Sequence, residues 1–258
     1  MMLKIKRLLK GVKSCFYPPL CVSCHTVMGR DSAHEICPIC MQKWESAKSS
    51  LRNRLGAVPA VPFEIECKSG VRESFVASLV NYRQMSLEQG DSLQKHLIFE
   101  LKRHDYKGLV NFLARELTQL IKDSFGKECS FKDFTVVSIP RSPKNLIATA
   151  NDGVGVLSRE CARILGAEYA GVFYKRLFSK EQKLLNSKQR GKHIIKALYM
   201  KKNAPELLHG RKIIIIDDVI TTGSSVGRAA QLLYDEAGVS DVYIYSVANN
   251  ADLLMRKI

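Results

Sequence analysis

Residues 212–225 read Lys-Ile-Ile-Ile-Ile-Asp-Asp-Val-Ile-Thr-Thr-Gly-Ser-Ser. Four consecutive isoleucines, Ile213 to Ile216, suit a strand buried on both faces, as in a parallel sheet. The strand ends in two carboxylates, Asp217 and Asp218, and runs into a turn that opens a helix. Free N–H groups of such a turn, with the positive end of the helix dipole, make a site for a phosphate dianion. Gly223 lets the backbone approach the phosphate closely, and Thr221, Thr222, Ser224 and Ser225 add hydroxyl donors. Asp217 and Asp218 fall at the C-terminal edge of a parallel sheet, where such folds bind ligands. Two carboxylates there suit the vicinal hydroxyls of a ribose, or a Mg²⁺ ion bridged to them. Taken singly, these features are a strand-capping acid pair and a Ser/Thr helix cap. Joined at this spacing, they read as a phosphate cradle.

The sequence around the cradle alternates in the same sense. Downstream, Val226, Ala229, Ala230 and Leu233 predict a helix over about 224–236 that closes at Gly238, followed by a strand at 242–248. Upstream, FEIECK (63–68) and SFVASLVNY (74–82) have the short β-branched and aromatic runs of strands. SLQKHLIFELKRH (92–104) and GLVNFLARELTQLIKDSFG (108–126) have helical spacing, the second carrying Leu109, Phe112, Leu113, Leu117, Leu120 and Ile121. A buried strand is expected within 131–140 and a helix over about 153–165, ending at Gly166. The basic stretch 176–193 has little apolar period and reads as a mobile loop. Helices alternating with apolar strands define an α/β fold with a parallel sheet flanked by helices. Residues 61–258 form this unit, and residues 1–60, cysteine- and proline-rich without a long apolar period, form a small separate module.

Eight cysteines occur in the chain. Cys21-x-x-Cys24 and Cys37-x-x-Cys40 form two knuckles separated by twelve residues. Such spacing turns four thiolates toward one ion and completes the closed tetrahedral shell of a structural zinc site. His25 and His34 lie within the loop, but four thiolates already satisfy zinc. With no open coordination position the metal is structural, in a module with too little core to fold without it. Cys67, Cys129 and Cys161 fall in apolar patterns and are expected in the core.

Lys and Arg number 40 against 25 acidic residues, a net charge of +15. That excess favours a polyanionic partner: nucleic acid, phosphorylated small molecules or an anionic membrane surface. No stretch approaches the roughly 20 apolar residues of a membrane span. The basic N-terminal segment lacks the apolar run and cleavage site of a secretory signal, so the expected compartment is the cytoplasm. Lys4, Lys6, Arg7, Lys10 and Lys13 precede the knuckles; Lys43, Lys48, Arg52 and Arg54 follow them. With Phe16, Tyr17 and Trp44 for base stacking, this half suits a single-stranded DNA grip. The alternative is that Phe16 and Trp44 pack under the metal loop, the commoner fate of a lone Trp.

The run of four apolar residues, two acids and T-T-G-x-S resembles the phosphoribosyl-diphosphate motif of type I phosphoribosyltransferases. The wider order, two CxxC knuckles and then this fold, resembles the ComF family of bacteria, whose competence members take part in uptake of transforming DNA. CFYPPLCVSC (15–24), LIFELKRHDYKGL (97–109) and the basic stretch from Arg176 through Gln182 to Arg190 carry the same resemblance.

The resemblance implies phosphoribosyl diphosphate with Mg²⁺ as ligand, single-stranded DNA as a partner, and helicase or channel proteins of DNA uptake as further partners. Asp217 and Asp218 would position the ribose and Mg²⁺, Arg190 or Lys192 would steady departing diphosphate, and Arg141 and Lys144 would form the pyrophosphate loop at 138–145. After that loop the family commonly has Arg-Gly-Phe-Asn-Gln; here the chain reads ATANDG (148–153), with only Asn151 matching. Three functions follow: a competence protein that binds DNA and phosphoribosyl diphosphate or a 5′-phosphate, an active phosphoribosyltransferase with an unidentified acceptor, or an adaptor that senses the ligand. An acceptor pocket would separate them, and the sequence shows none.

Overall fold

A computed structural model of the chain describes residues 19–29, 35–82, 93–103, 107–126, 128–143, 146–147, 151–175 and 198–250. In chain order the elements are α1 (Pro38–Leu55), β1 (Ala60–Cys67), β2 (Gly70–Asn81), α2 (Leu93–Arg103), α3 (Lys107–Phe125), β3 (Phe134–Ser138), α4 (Gly153–Leu165), β4 (Glu168–Tyr169), β5 (Phe173–Lys175), β6 (Leu198–Met200), α5 (Ala204–Leu208), β7 (Lys212–Ile220), α6 (Ser224–Leu232) and β8 (Asp241–Asn249). A π-helical turn, Leu233–Ala237, continues α6.

Six strands form one sheet in the order β1-β2-β8-β7-β3-β4. All neighbours run parallel except β1 and β2, which form an antiparallel hairpin. The expectation of a parallel sheet therefore holds for the body and is corrected at one edge. Cys67 pairs with Gly70, and the two residues between them leave no room for the crossover that a parallel pair requires. β5 and β6 pair separately and antiparallel, Lys175 opposite Leu198.

The four isoleucines explain the layering. All are fully buried; Ile214 and Ile216 join a core with α2, α3 and α4, while Ile213 and Ile215 join a second core with α5 and α6. Alternate side chains leave opposite faces of a strand, so helices must cover both. Besides the short β4, β5, β6 and α5, the periodicity missed one long element, α1, eighteen residues in a region without a long apolar period. Its buried side chains, Cys40, Trp44, Lys48 and Leu51, form a stripe one residue wide and interrupted by a lysine, too narrow for an apolar period to register.

Candidate functional site

β3 and β7 are neighbours, Ser138 opposite Ile216. From β3 the chain crosses through α4 to β4 on one side; from β7 it crosses through α6 to β8 on the other. The order reverses between them, and the crevice beyond the carboxyl ends of two such strands is where open α/β sheets bind ligands. The structure places Asp217, Asp218 and the segment after Ser138 at that crevice.

Asp217 is half-buried and Asp218 is 7% exposed. Asp217 Oδ1 accepts the N–H of Asp218 at 2.9 Å. Loss of surrounding water, and then the neighbouring Asp218 carboxylate, push the Asp217 carboxyl up to about 7. Burial lowers the Lys175 ammonium, a change that Asp217 and Asp218 oppose. Lys102 Nζ lies 3.3 Å from Asp218 Oδ2. A cavity of about 260 Å³ is lined by Lys102, Arg141, Ser142, Lys175, Asp217 and Asp218, among others.

Beyond the acids, Thr221 to Ser225 line a recess of about 60 Å³ with Asp217 at its edge. Gly223, the N-cap of α6, holds φ +73° and has no side chain with which to cap the helix. That left-handed conformation is costly for residues with a Cβ; the Ser224 N–H donates to Thr222 Oγ1 at 3.4 Å, and the N–H groups that follow it in the first turn suit an anion. Thr222 Oγ1 and Ser224 Oγ hydrogen bond at 2.9 Å. Arg141 lines the larger cavity, its Nη1 donating to the carbonyls of Lys102 and Asn151. Lys144, Arg190 and Lys192 lie outside the described residues, as does the 176–193 stretch.

Sequence reasoning did not single out Lys102 and Lys175. Lys102 stands inside the quoted 97–109 segment, but only the tertiary packing of α2 brings it to the acids. Asn151 is a buried brace: its Nδ2 donates to the Leu101 carbonyl at 3.1 Å.

The four cysteines come together. Their sulfur atoms all lie within 4.8 Å of one another, a spacing four ligands around one ion can share. Cys21 N–H bonds to the Thr26 carbonyl and His25 N–H to the Cys21 carbonyl, closing the first knuckle. The second pair straddles the first turn of α1, Cys37 as N-cap and Pro38 starting the helix. The N–H of Cys37 donates to Cys21 Sγ at 3.2 Å. Hydrogen bonds from Thr26 lower the Cys24 thiol to about 6, whereas burial raises Cys37 and drives Cys40 up to about 12. Buried thiols that resist ionisation ionise together when a cation ligates them. The cluster could hold a metal ion. His25 is exposed, its ring edge-on to His96 at 5.8 Å; Cys15 and His34 lie outside the described residues.

The basic half is altered by the structure. Trp44 is fully buried against Phe112, its Nε1 donating to Glu116 at 2.8 Å, so it takes the packing role and offers no stacking surface. Lys48 is buried and ion-paired with Glu45 and Glu116. Lys43 and Arg54 are exposed on α1, and Arg52 is half-exposed. Phe16, Tyr17 and the N-terminal lysines lie outside the described residues. No described helix is long and apolar enough to cross a membrane.

A doubly covered, mostly parallel sheet with paired acids leading into a glycine turn defines the phosphoribosyltransferase class. A model of the phosphoribosyl transferase domain matches residues 111–257, and the chain belongs to that family. It is also ComF-like: it is 28% identical over 241 residues to the competence protein ComFC of Streptococcus pneumoniae (strain ATCC BAA-255 / R6), covering 93% of this chain and 90% of that protein. Solved structures similar to it include adenine phosphoribosyltransferase of Saccharomyces cerevisiae, at 16% identity and TM-score 0.38 over 81% of this chain and 94% of that one. Another is adenine phosphoribosyltransferase of Rhodothermus marinus, at 17% identity and TM-score 0.37 over 83% and 92%.

Proposed function

We propose that this chain binds 5-phosphoribosyl 1-diphosphate, or the 5′-phosphate of a DNA end, at Asp217–Ser225 and grips single-stranded DNA with its basic surface during cytoplasmic steps of DNA uptake. The observation that carries this reading is the acid pair leading directly into the Thr221–Ser225 turn at the crevice between β3 and β7. In it, the N–H groups and hydroxyls of Thr221, Thr222, Gly223, Ser224 and Ser225 hold the 5-phosphate. Asp217 and Asp218 accept hydrogen bonds from the ribose hydroxyls, and Arg141, Lys144 and Arg190 serve the diphosphate. Carboxylate oxygens beside a roomy polar cavity suit a hard cation. Mg²⁺ held there would neutralise diphosphate charge.

In the same reading Cys21, Cys24, Cys37 and Cys40 hold a structural Zn²⁺, since four thiolates at this spacing match its tetrahedral preference. Residues 1–60 act as the metal module and 61–258 as the phosphoribosyltransferase-like unit. DNA-uptake helicase or channel proteins are the partners that the likeness to ComFC suggests.

The cations beside the acids favour a second reading, transfer to an acceptor. The acceptor's lone pair would attack the ribose C1 while the C1–O bond to diphosphate breaks, its electrons leaving with the diphosphate. Lys102, Arg141 and Lys175 line the cavity where that charge would develop. Phosphoribosyl diphosphate with Mg²⁺ is expected to raise the melting temperature, as a ligand of the native state does. Melting curves that ignore it at millimolar concentration contradict the reading.

A further inference from the structure

The last turn of α2 is fixed against the pocket from three directions. Arg141 Nη1 donates to the Lys102 carbonyl, and Asn151 Nδ2 donates to the Leu101 carbonyl. Gly153 of α4 approaches so closely that a Cβ there would stand 1.9 Å from the Leu101 carbonyl oxygen. Terminal carbonyls that lack intrahelical partners are thereby satisfied. From this fixed base the Lys102 side chain reaches the cavity, Nζ 3.3 Å from Asp218 Oδ2. The side chain of Asp218 is 11% exposed and that of Lys102 37%. A buried carboxylate needs a cation beside it, yet a pair so open to water on one side holds weakly. The ammonium is a replaceable partner.

We propose that Lys102 is a ligand-binding residue of this site. It holds Asp218 when no ligand is bound and passes to the diphosphate oxygens when ribose hydroxyls or a divalent cation take its place on the carboxylate. The inference rests on the reading of the site as a phosphoribosyl diphosphate pocket. Lysine suits the exchange, being a compact point charge on a flexible stem, while its backbone stays anchored. Lys175 and Arg141 line the same cavity, so three cations face two carboxylates and the released ammonium meets an anion in a pocket of net positive charge. Lys102 thus opposes a divalent cation arriving alone and favours the diphosphate.

The two effects have opposite signs, and that makes them testable on the full-length protein. Mn²⁺ alone is titrated by electron paramagnetic resonance, and inorganic pyrophosphate without divalent metal by calorimetry. Wild type, Lys102→Met and Lys102→Arg are compared, with melting curves to verify folding. Lys102→Met is expected to bind Mn²⁺ roughly threefold to fivefold more tightly, the weight of a half-exposed ion pair. It should bind pyrophosphate roughly tenfold more weakly, the weight of a charge-assisted hydrogen bond, and Lys102→Arg should restore most of that binding. Unchanged or weaker Mn²⁺ binding in Lys102→Met, or unchanged pyrophosphate binding, overturns the proposal. If wild type takes phosphoribosyl diphosphate but Lys102→Met matches it in both titrations, Lys102 alone is refuted. If wild type takes neither pyrophosphate nor phosphoribosyl diphosphate, the reading of the site falls with it.

Discussion

Asp217 stands where its charge is least welcome, half-buried beside a second carboxylate. An unfolded chain ionises it at the ordinary value of 3.8, the native chain only at a raised value. Between those two values the unfolded state carries the charge and the native state does not. Native stability therefore falls as pH rises through that window and levels off above it. Asp217→Asn cannot ionise, so it is expected to melt a few degrees above wild type at pH 8, with the advantage shrinking toward pH 4. An equal difference at both pH values would show that the site does not raise this carboxyl. Asp217, Asp218 and the turn after them were legible in the sequence because strand, acids and turn are contiguous. Lys102 and Lys175 were not, because they reach the acids only through packing of α2 and the placement of β5.

At the scale of elements, the cysteine spacing was readable but the helix that uses it was not. The second pair brackets the first turn of α1, Cys37 as N-cap and Cys40 inside the helix, so the thiols meet where the helix begins. Further along α1, the lone tryptophan, Trp44, is fully buried against Phe112 of α3. A metal at the thiols would therefore anchor the start of the helix whose middle packs on the body. About one zinc per chain is expected, and stripping it with a strong chelator should red-shift Trp44 emission as α1 loosens. Emission that stays unshifted after verified metal loss would mean that α1 is held without the ion. The hairpin of β1 and β2 was likewise hidden: both strands were legible, but their antiparallel pairing depends on a two-residue connection that strand periodicity does not encode.

Across the whole molecule, a net charge of +15 would suit a polyanion, while the structure removes Trp44 and Lys48 from the surface that would meet it. If single-stranded DNA is the partner, affinity should fall with salt at a log–log slope of roughly −0.7 per phosphate contacted. Charge reversal at Lys43, Arg52 and Arg54 should flatten that slope, while Lys48, held by Glu45 and Glu116, should contribute little. Filter binding that shows no DNA retention at low salt would remove the nucleic-acid half of the account. The fold itself was widely legible, since four isoleucines demand cover on both faces and the structure supplies it. The turn that follows them is the proposed ligand site. It is tested most directly by calorimetric titration of phosphoribosyl diphosphate with Mg²⁺ into wild type and Gly223→Val. Saturable one-site binding to wild type and its loss in the variant are expected, because a branched side chain opposes the left-handed φ of +73° and fills the phosphate's approach. Equal binding to both proteins, or none to wild type, would contradict that assignment.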